Sequence, residues 1–248
     1  MWITGSTTLS FSSKIIIAKF QHCKTTFPPE YVKGRECKQN LTQFFRALNE
    51  YSNRIDETSN KCHKVEDLFL PTLVGLRTKL QDMLKTNLED NQYLSGALDI
   101  TWRKASYEVI HLAKNLRKNP TWTQTQASLI KSHLTQSFGY FQNILNLLDS
   151  NLDFQHQNEY GFLCGSLNKS KAKAKPAFKI LVFLGDLTRY QLEFCDSQNK
   201  EHVTRLSKKF YQMSLSVDPR HGQPFNQLAA LSGSQCYGLI AVYYYLRW

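Results

Sequence analysis

Leu94, Leu98, Trp102, Ala105, Val109, Leu112 and Leu116 recur every three or four positions. At about 100° of rotation per residue, this spacing gathers them on one stripe of an α-helix. A strand would need apolar residues at every second position. The opposite face of the same helix carries Arg103, Tyr107, Ile110 and Lys114 in a line, with Lys104 to one side, and Asn119-Pro120 ends it. Similar stripes lie on both sides of it. The first begins at Leu41 and continues through Phe44, Phe45, Leu48, Ser52 and Ile55. The second runs through Phe69, Leu73, Leu76, Leu80 and Met83, with Pro71 in the first turn, where a missing N–H costs nothing. A fourth runs from about Trp122 to Leu152 through Ala127, Ile130, Leu134, Phe138, Phe141, Leu145 and Leu148. Sparse Gly and Pro favour long helices over many turns, so the fold class is all-α.

Residues 1–35 read as a loose N-terminal tail, because nothing from Met1 to about Lys33 is periodic and Phe27-Pro28-Pro29 breaks any helix there. Ile15-Ile16-Ile17-Ala18, bounded by Lys14 and Lys19, is too short for a signal-peptide core. No apolar run approaches the roughly 18 residues a membrane span needs, so no membrane association is expected. Residues 36–248 read as the folded domain. It is interrupted by a basic loop at 153–175 whose end, Asn168-Lys-Ser-Lys-Ala-Lys-Ala-Lys175, reads as a solvated linker, with a nucleic-acid contact as the minority alternative. The formal charge of +11 suits an acidic partner: nucleic acid, phosphoprotein or anionic membrane. The six cysteines form no C-x-x-C pair and no repeated Cys/His pairs at zinc spacing, Cys62-His63 standing alone. They read as reduced thiols of an intracellular protein, with no metal or other cofactor.

Near the C-terminus the spacing fits the tetratricopeptide repeat, a helical pair of about 34 residues with small and large side chains at fixed places. With a unit starting at Gly222, Phe225 and Leu228 take the large positions of the first helix and Ala229 the small one. Ala241 then takes the packing alanine of the second helix and Tyr245 its aromatic site. The preceding unit fits in two pieces: Leu184-Gly185 in its first helix, Tyr211 and Pro219 in its second. The span from Gly185 to Pro219 exceeds the template by about ten residues, an insertion placed in the turn around Cys195 to Glu201. The second unit is cut off at Trp248 before its terminal proline, so the chain reads as a fragment of a longer protein.

Leu184-Gly185-Asp186-Leu187-Thr188-Arg189-Tyr190, followed by Pro219-Arg-His-Gly222-Gln-Pro224-Phe225-Asn226-Gln227-Leu228-Ala229, resembles the signature of the SMG/ever-shorter-telomeres family. Trp102-Arg103-Lys104, Tyr107-Glu108-Val109-Ile110 and Tyr243-Tyr-Tyr-Leu-Arg247 look most like its fifth SMG branch. The resemblance covers roughly Thr42 to Trp248. It implies a 14-3-3-like domain: antiparallel helices forming a groove, the later ones built as tetratricopeptide pairs. It further implies an adaptor in nonsense-mediated mRNA decay, cytoplasmic with shuttling to the nucleus, and not an enzyme. The implied partners are the phosphorylated up-frameshift RNA helicase, a paralogous SMG protein in a heterodimer, and a protein phosphatase or other decay machinery. Some relatives associate with telomerase. The alternative function is therefore a telomerase-associated subunit that binds RNA or telomeric DNA through the basic surface.

The family's phosphate site pairs a basic residue on the third helix with an Arg-Tyr on the fifth. The Arg-Tyr corresponds to Arg189-Tyr190, whereas the third-helix position falls on Tyr107, a departure that removes a charge. Arg103, one turn before, Lys104 beside it, and Lys114, two turns after, lie on the same helix. Phosphate brings about −1.5 to −2 charge and three acceptor oxygens, which guanidinium forks and phenol hydroxyls suit. By analogy with 14-3-3 proteins, Asn226 would hold the bound peptide backbone. Each assignment has a plainer alternative. Arg189 sits at helical spacing from Asp186 and Glu193 and would pair with either. Tyr107 would be a surface tyrosine, and Asn226 would bond a helix terminus. No Gly-rich phosphate loop, H-E-x-x-H or G-x-S-x-G occurs, and the histidines, His111 among them, are scattered.

Overall fold

The computed structural model describes residues 31–88, 91–118, 122–150, 171–194, 200–233 and 238–248. All regular structure among these residues is helical. The chain divides into two compact units, Met1–Phe44 and Phe45–Trp248. Of the first unit, the described part is helical from Tyr31. Residues 1–30 of the expected tail, 153–170 of the basic loop, the Asn119-Pro120 stop and Cys23, Cys164, Cys195 and Cys236 lie outside the described residues. Cys62 is a free thiol.

Helix α1 spans Tyr31–Ser59, beginning before Leu41 and overlapping the end of the tail segment. A 3₁₀ turn, Glu66–Phe69, leads into α2, Pro71–Lys85, with Pro71 at its start as expected. Helix α3 consists of Asn91–Thr101 and Glu108–Leu116 joined through a π turn, Trp102–Tyr107. Helices α4, Gln124–Ser150, and α5, Lys171–Phe194, follow. Then come α6, Lys200–Val217, α7, Gln223–Gly233, and α8, Leu239–Arg247. The last lysines of the expected basic loop therefore lie inside α5. The expected insertion is divided: α5 continues through Phe194 and α6 begins at Lys200, leaving residues 195–199 outside the described residues.

Helix α5 is the hub. Ala177, Phe178, Ile180, Leu181, Val182, Phe183, Leu184 and Leu187 are all buried, so it is apolar around its whole circumference. A helix of that kind must be surrounded, and α5 packs against α3, α4 and α6. Trp102 of α3 stacks flat on Phe183 at 4.6 Å, and Phe141 of α4 meets both rings edge-on at 5.7 and 5.3 Å. Helix α4 buries Ile130, Leu134, Phe141, Ile144, Leu145 and Leu148, much as its spacing indicates. Helix α2 departs from its expected stripe. It buries Leu73, Arg77, Leu80 and Leu84, which puts a guanidinium in the core, and leaves Leu76 and Met83 half-buried.

The repeat positions Phe225, Leu228, Ala229 and Ala241 are buried. Tyr245 is not: it is 51% exposed. On α8 the inward face carries Ala241 and Tyr244, three residues apart, and Tyr244 packs against Tyr211, Leu228 and Leu231. Tyr245 lies one residue, about 100°, further round and points outward.

Helices α5 and α6 touch at Gly185. A Cβ there would lie 2.6 and 2.8 Å from ring carbons of Tyr211, a fully buried side chain with nowhere to move. Gly185→Ala is expected to destabilise the fold by about 2 kcal/mol, the overpacking outweighing Ala's better helix propensity. Gly75→Ala, with nothing within 4 Å of the new methyl, is expected to stabilise slightly. Urea denaturation of the two variants beside the parent checks both signs.

Candidate phosphopeptide-binding site

Helices α3 and α5 lie side by side in the same direction, their contacts rising in step. The Tyr107 and Tyr190 rings are 6.4 Å apart, Lys114 Nζ sits 4.1 Å from the Tyr190 ring centre, and Lys114 reaches Glu193 at 2.5 Å. From its own helix, Arg189 lays its guanidinium 4.4 Å from the same ring centre. Tyr190 is therefore a platform on which two cations converge.

The Leu-Gly-Asp-x-x-Arg-Tyr block explains how Arg189 is held. With no Cβ at Gly185, the Tyr211 ring lies against α5, and its hydroxyl donates to Asp186 Oδ1 at 2.7 Å. Asp186 is buried, one helical turn before Arg189, with its Oδ1 3.6 Å from Arg189 Nη2. Arg189 Nε donates to the Tyr211 hydroxyl at 3.4 Å. A buried carboxylate and a buried phenol thus hold the guanidinium from behind. Burial pushes the Asp186 carboxyl up, and the Arg189 charge and the Tyr211 hydrogen bond oppose it. Burial, then the Asp186 charge, pushes the Tyr190 phenol up to about 12, so it keeps its proton near neutrality.

Of the residues singled out in the sequence, the structure brings Arg189, Tyr190, Tyr107 and Lys114 together. Tyr107 is 37% exposed and stacks on His111 at 5.9 Å. Arg103 is exposed, and its side chain makes no hydrogen bond or ion pair among the described residues. Lys104 does not belong with this group. It is buried, and its Nζ pairs with Asp56 of α1 and with Glu108 at 2.6 Å. Ile110 is likewise fully buried rather than on the open face. The two corrections have different causes. Lys104 follows buried Ala97 and Thr101 by seven and three residues, so it continues the inward face of the first part of α3. Ile110 lies beyond the π turn, which holds more residues per turn than an α-helix and rotates inward a position that a uniform 100° step places outside. Asn226 is half-buried in α7, its backbone N–H donating to the Gly222 carbonyl at 3.2 Å, with no contact to the α3–α5 cluster among the described residues. The plain pairing of Arg189 with Asp186 is present, and Glu193 serves Lys114 instead.

Sequence reasoning missed a buried polar layer under the π turn. Ser106 Oγ bonds Ser137 Oγ at 3.1 Å, and His133 Nε2 lies 3.5 Å from the Ser106 carbonyl. Arg77 Nη1 donates to the Leu68 carbonyl at 2.5 Å while its Nε finds no partner among the described residues. Burial lowers Arg77 to about 10. Burial, and next the Arg77 charge, lowers His133 to about 4. No period in the sequence marks these residues, because polar side chains on an apolar stripe look like slips.

Among the described residues no group of His, Cys, Asp and Glu gathers as a metal site, and no helix is long and apolar enough to cross a membrane. The arrangement is that of an all-α, 14-3-3/tetratricopeptide-type helical array bearing an aromatic and cationic cluster between two parallel helices. The family profile described as the Est1 DNA/RNA binding domain matches residues 207–247. The chain is 32% identical over 238 residues to the nonsense-mediated mRNA decay factor SMG5 of Mus musculus, covering 89% of this chain and 23% of that protein. It is 30% identical over 223 residues to SMG5 of Danio rerio, covering 84% and 20%. To the decay factor SMG7 of Danio rerio it is 27% identical over 189 residues, covering 70% and 15%. The chain belongs to the SMG/ever-shorter-telomeres family, and it spans about a fifth of the length of the SMG5 relatives it matches.

His133 also sets a pH dependence. Its ordinary value is 6.5 and its folded value about 4. Between these the unfolded chain binds a proton that the folded chain refuses, so stability is full above 6.5 and falls as the pH drops toward 4. The thermal unfolding midpoint is expected to decline across that window, and less steeply in His133→Gln. Parallel slopes in the two proteins would contradict the assignment.

Proposed function

We propose that this chain is a non-enzymatic adaptor module in nonsense-mediated mRNA decay that reads a phosphorylated segment of the up-frameshift RNA helicase through the α3–α5 cluster. The observation that carries this reading is the convergence of Lys114 and Arg189 on the one Tyr190 ring. Lys114 has three N–H donors, so it can keep Glu193 and bind a phosphate oxygen at once. Arg189 uses Nε and Nη2 on Tyr211 and Asp186 and also bonds the Tyr190 phenol, which leaves part of its five-donor fork for phosphate. The Tyr190 and Tyr107 phenols replace with hydroxyl donors the charge that Tyr107 lacks. The relatives' names support the decay role. Pairing with a paralogous SMG protein, and recruitment of a phosphatase or decay machinery, follow as the adaptor's other half.

A second reading, nucleic-acid binding, is favoured by the Est1 DNA/RNA profile over 207–247, which includes Lys208, Lys209 and Arg220. Salt separates the two: several backbone phosphates give a steep dependence of affinity on ionic strength, one phosphoserine a shallow one.

Fluorescence anisotropy with a phosphoserine peptide from the helicase and its unphosphorylated twin tests the proposal. The phosphopeptide is expected to bind preferentially, and Lys114→Ala and Arg189→Gln each to weaken it about tenfold. Gln is the better probe at Arg189, because Glu would put a second carboxylate beside buried Asp186. Equal binding of the twin peptides, or wild-type affinity in both variants, would overturn the reading.

A further inference from the structure

Beyond the cluster, where α3 and α5 end and α4 begins, lies a cavity of about 250 Å³. Arg117, Trp122, Ser128, Lys131, Glu193 and Phe194 line it. We propose that it is a second subsite, which takes an acidic side chain of the bound peptide two residues from the phosphoserine. This rests on the phosphopeptide reading above and adds the sequence that the groove prefers.

Three features carry it. The first is position. Arg117, the residue that caps the C-terminal end of α3, lies one turn beyond Lys114, and Phe194 one turn beyond Tyr190 on α5. The cavity is therefore displaced from the phosphate cluster by about one helical pitch, roughly 5.4 Å. An extended peptide advances about 3.3 Å per residue and returns its side chains to the same face every second residue. A residue two places from the phosphoserine thus faces the cavity when the phosphate faces Lys114.

The second is charge. Arg117 and Lys131 contribute cations, and the one carboxylate in the lining among the described residues, Glu193, is already neutralised by Lys114. Lys131 is exposed and its ammonium has no partner among the described residues. The first turn of α4 adds its positive end.

The third is rigidity. Arg117 Nη1 donates to the Glu193 carbonyl, and its guanidinium lies 5.2 Å from the centre of the Phe194 ring. The Trp122 ring is 6.2 Å from that of Phe194. Thr123 and Gln126 cap α4 reciprocally, backbone to side chain, at 3.1 and 3.3 Å. The walls are therefore set before a ligand arrives, so little ordering cost opposes binding.

The test is anisotropy with a phosphoserine peptide carrying Asp, Ala or Lys two residues to either side of the phosphate, and the same three residues five places away. Asp is expected to bind about fivefold tighter than Ala, and Lys more weakly than Ala, at one of the two near positions only. In Lys131→Glu the order is expected to collapse or invert. The ratio within each protein is the readout, which removes any general loss from the charge change. Equal affinities at both near positions would overturn the subsite while leaving the phosphate reading intact. So would an Asp gain equal at the distant position, which is general attraction to a basic protein. So would an order unchanged in Lys131→Glu. If the Ala phosphopeptide binds no better than its unphosphorylated twin, the phosphate reading falls, and the subsite that depends on it falls with it.

Discussion

The contact between Gly185 and Tyr211 sets both the packing of the C-terminal helices and the geometry of the candidate site. Because residue 185 has no side chain, the fully buried Tyr211 ring lies directly on α5. Ser207 then reaches the Gly185 carbonyl at 2.9 Å from the same helix. The Tyr211 hydroxyl is carried to Asp186, and through both groups the orientation of Arg189 is decided. On the other side Tyr211 joins Leu228 and Leu231, against which Tyr244 of α8 packs. Widening this one interface would release the last helical pair and the guanidinium together. The Leu-Gly-Asp-x-x-Arg-Tyr block thus reads as a mechanical unit: a close approach, a buried acceptor, a cation held by it one turn later, and the aromatic ring that cation lies on.

The π turn of α3 works in the opposite direction, by breaking regularity. From the turn onward the inward positions of α3, Ala105, Val109 and Ala113, are spaced by four residues, wider than the 3.6 of an α-helix. A wide turn absorbs the difference and lets the stripe keep facing the core. The cost is that Ser106 is drawn inside beside buried Lys104, and both must be satisfied, which Ser137, Asp56 and Glu108 do. Lys114, beyond the turn, remains on the face toward Tyr190.

This explains what the sequence could and could not reveal. Helix existence, the apolar stripe of α4 and the small residues Gly185, Ala229 and Ala241 were legible, since each follows from a period or from a steric limit. The Arg189–Tyr190–Lys114 grouping was legible only with the family resemblance, because nothing local says that α3 and α5 run in parallel. A uniform rotation does not hold across the π turn, which carries Ile110 inward, and Lys104 continues the buried Ala97–Thr101 line that lies beside the Leu98–Trp102 stripe. Tyr244, and not Tyr245, fills the aromatic site of α8, because a repeat template fixes such a site only to within the rotation of one residue. Arg77 and His133 gave no signal at all. A buried cation and a histidine held neutral are decided by neighbours from three helices, and periodicity speaks of one helix at a time.

The charge of the whole chain also misleads if applied to the site. With a formal charge of +11 the molecule attracts any polyanion, yet the cations nearest Tyr190 each hold a carboxylate: Arg189 with Asp186, Lys114 with Glu193. A nearly neutral cluster gains little from a diffuse negative charge. It gains from a compact dianion that can collect several directed N–H and O–H donors in one place. In the proposed reading, internal pairing lowers affinity for anions in general more than for phosphate on a peptide. On that reading selectivity comes from the geometry fixed by Tyr211 and Asp186, and the surface charge contributes mainly to the rate of encounter.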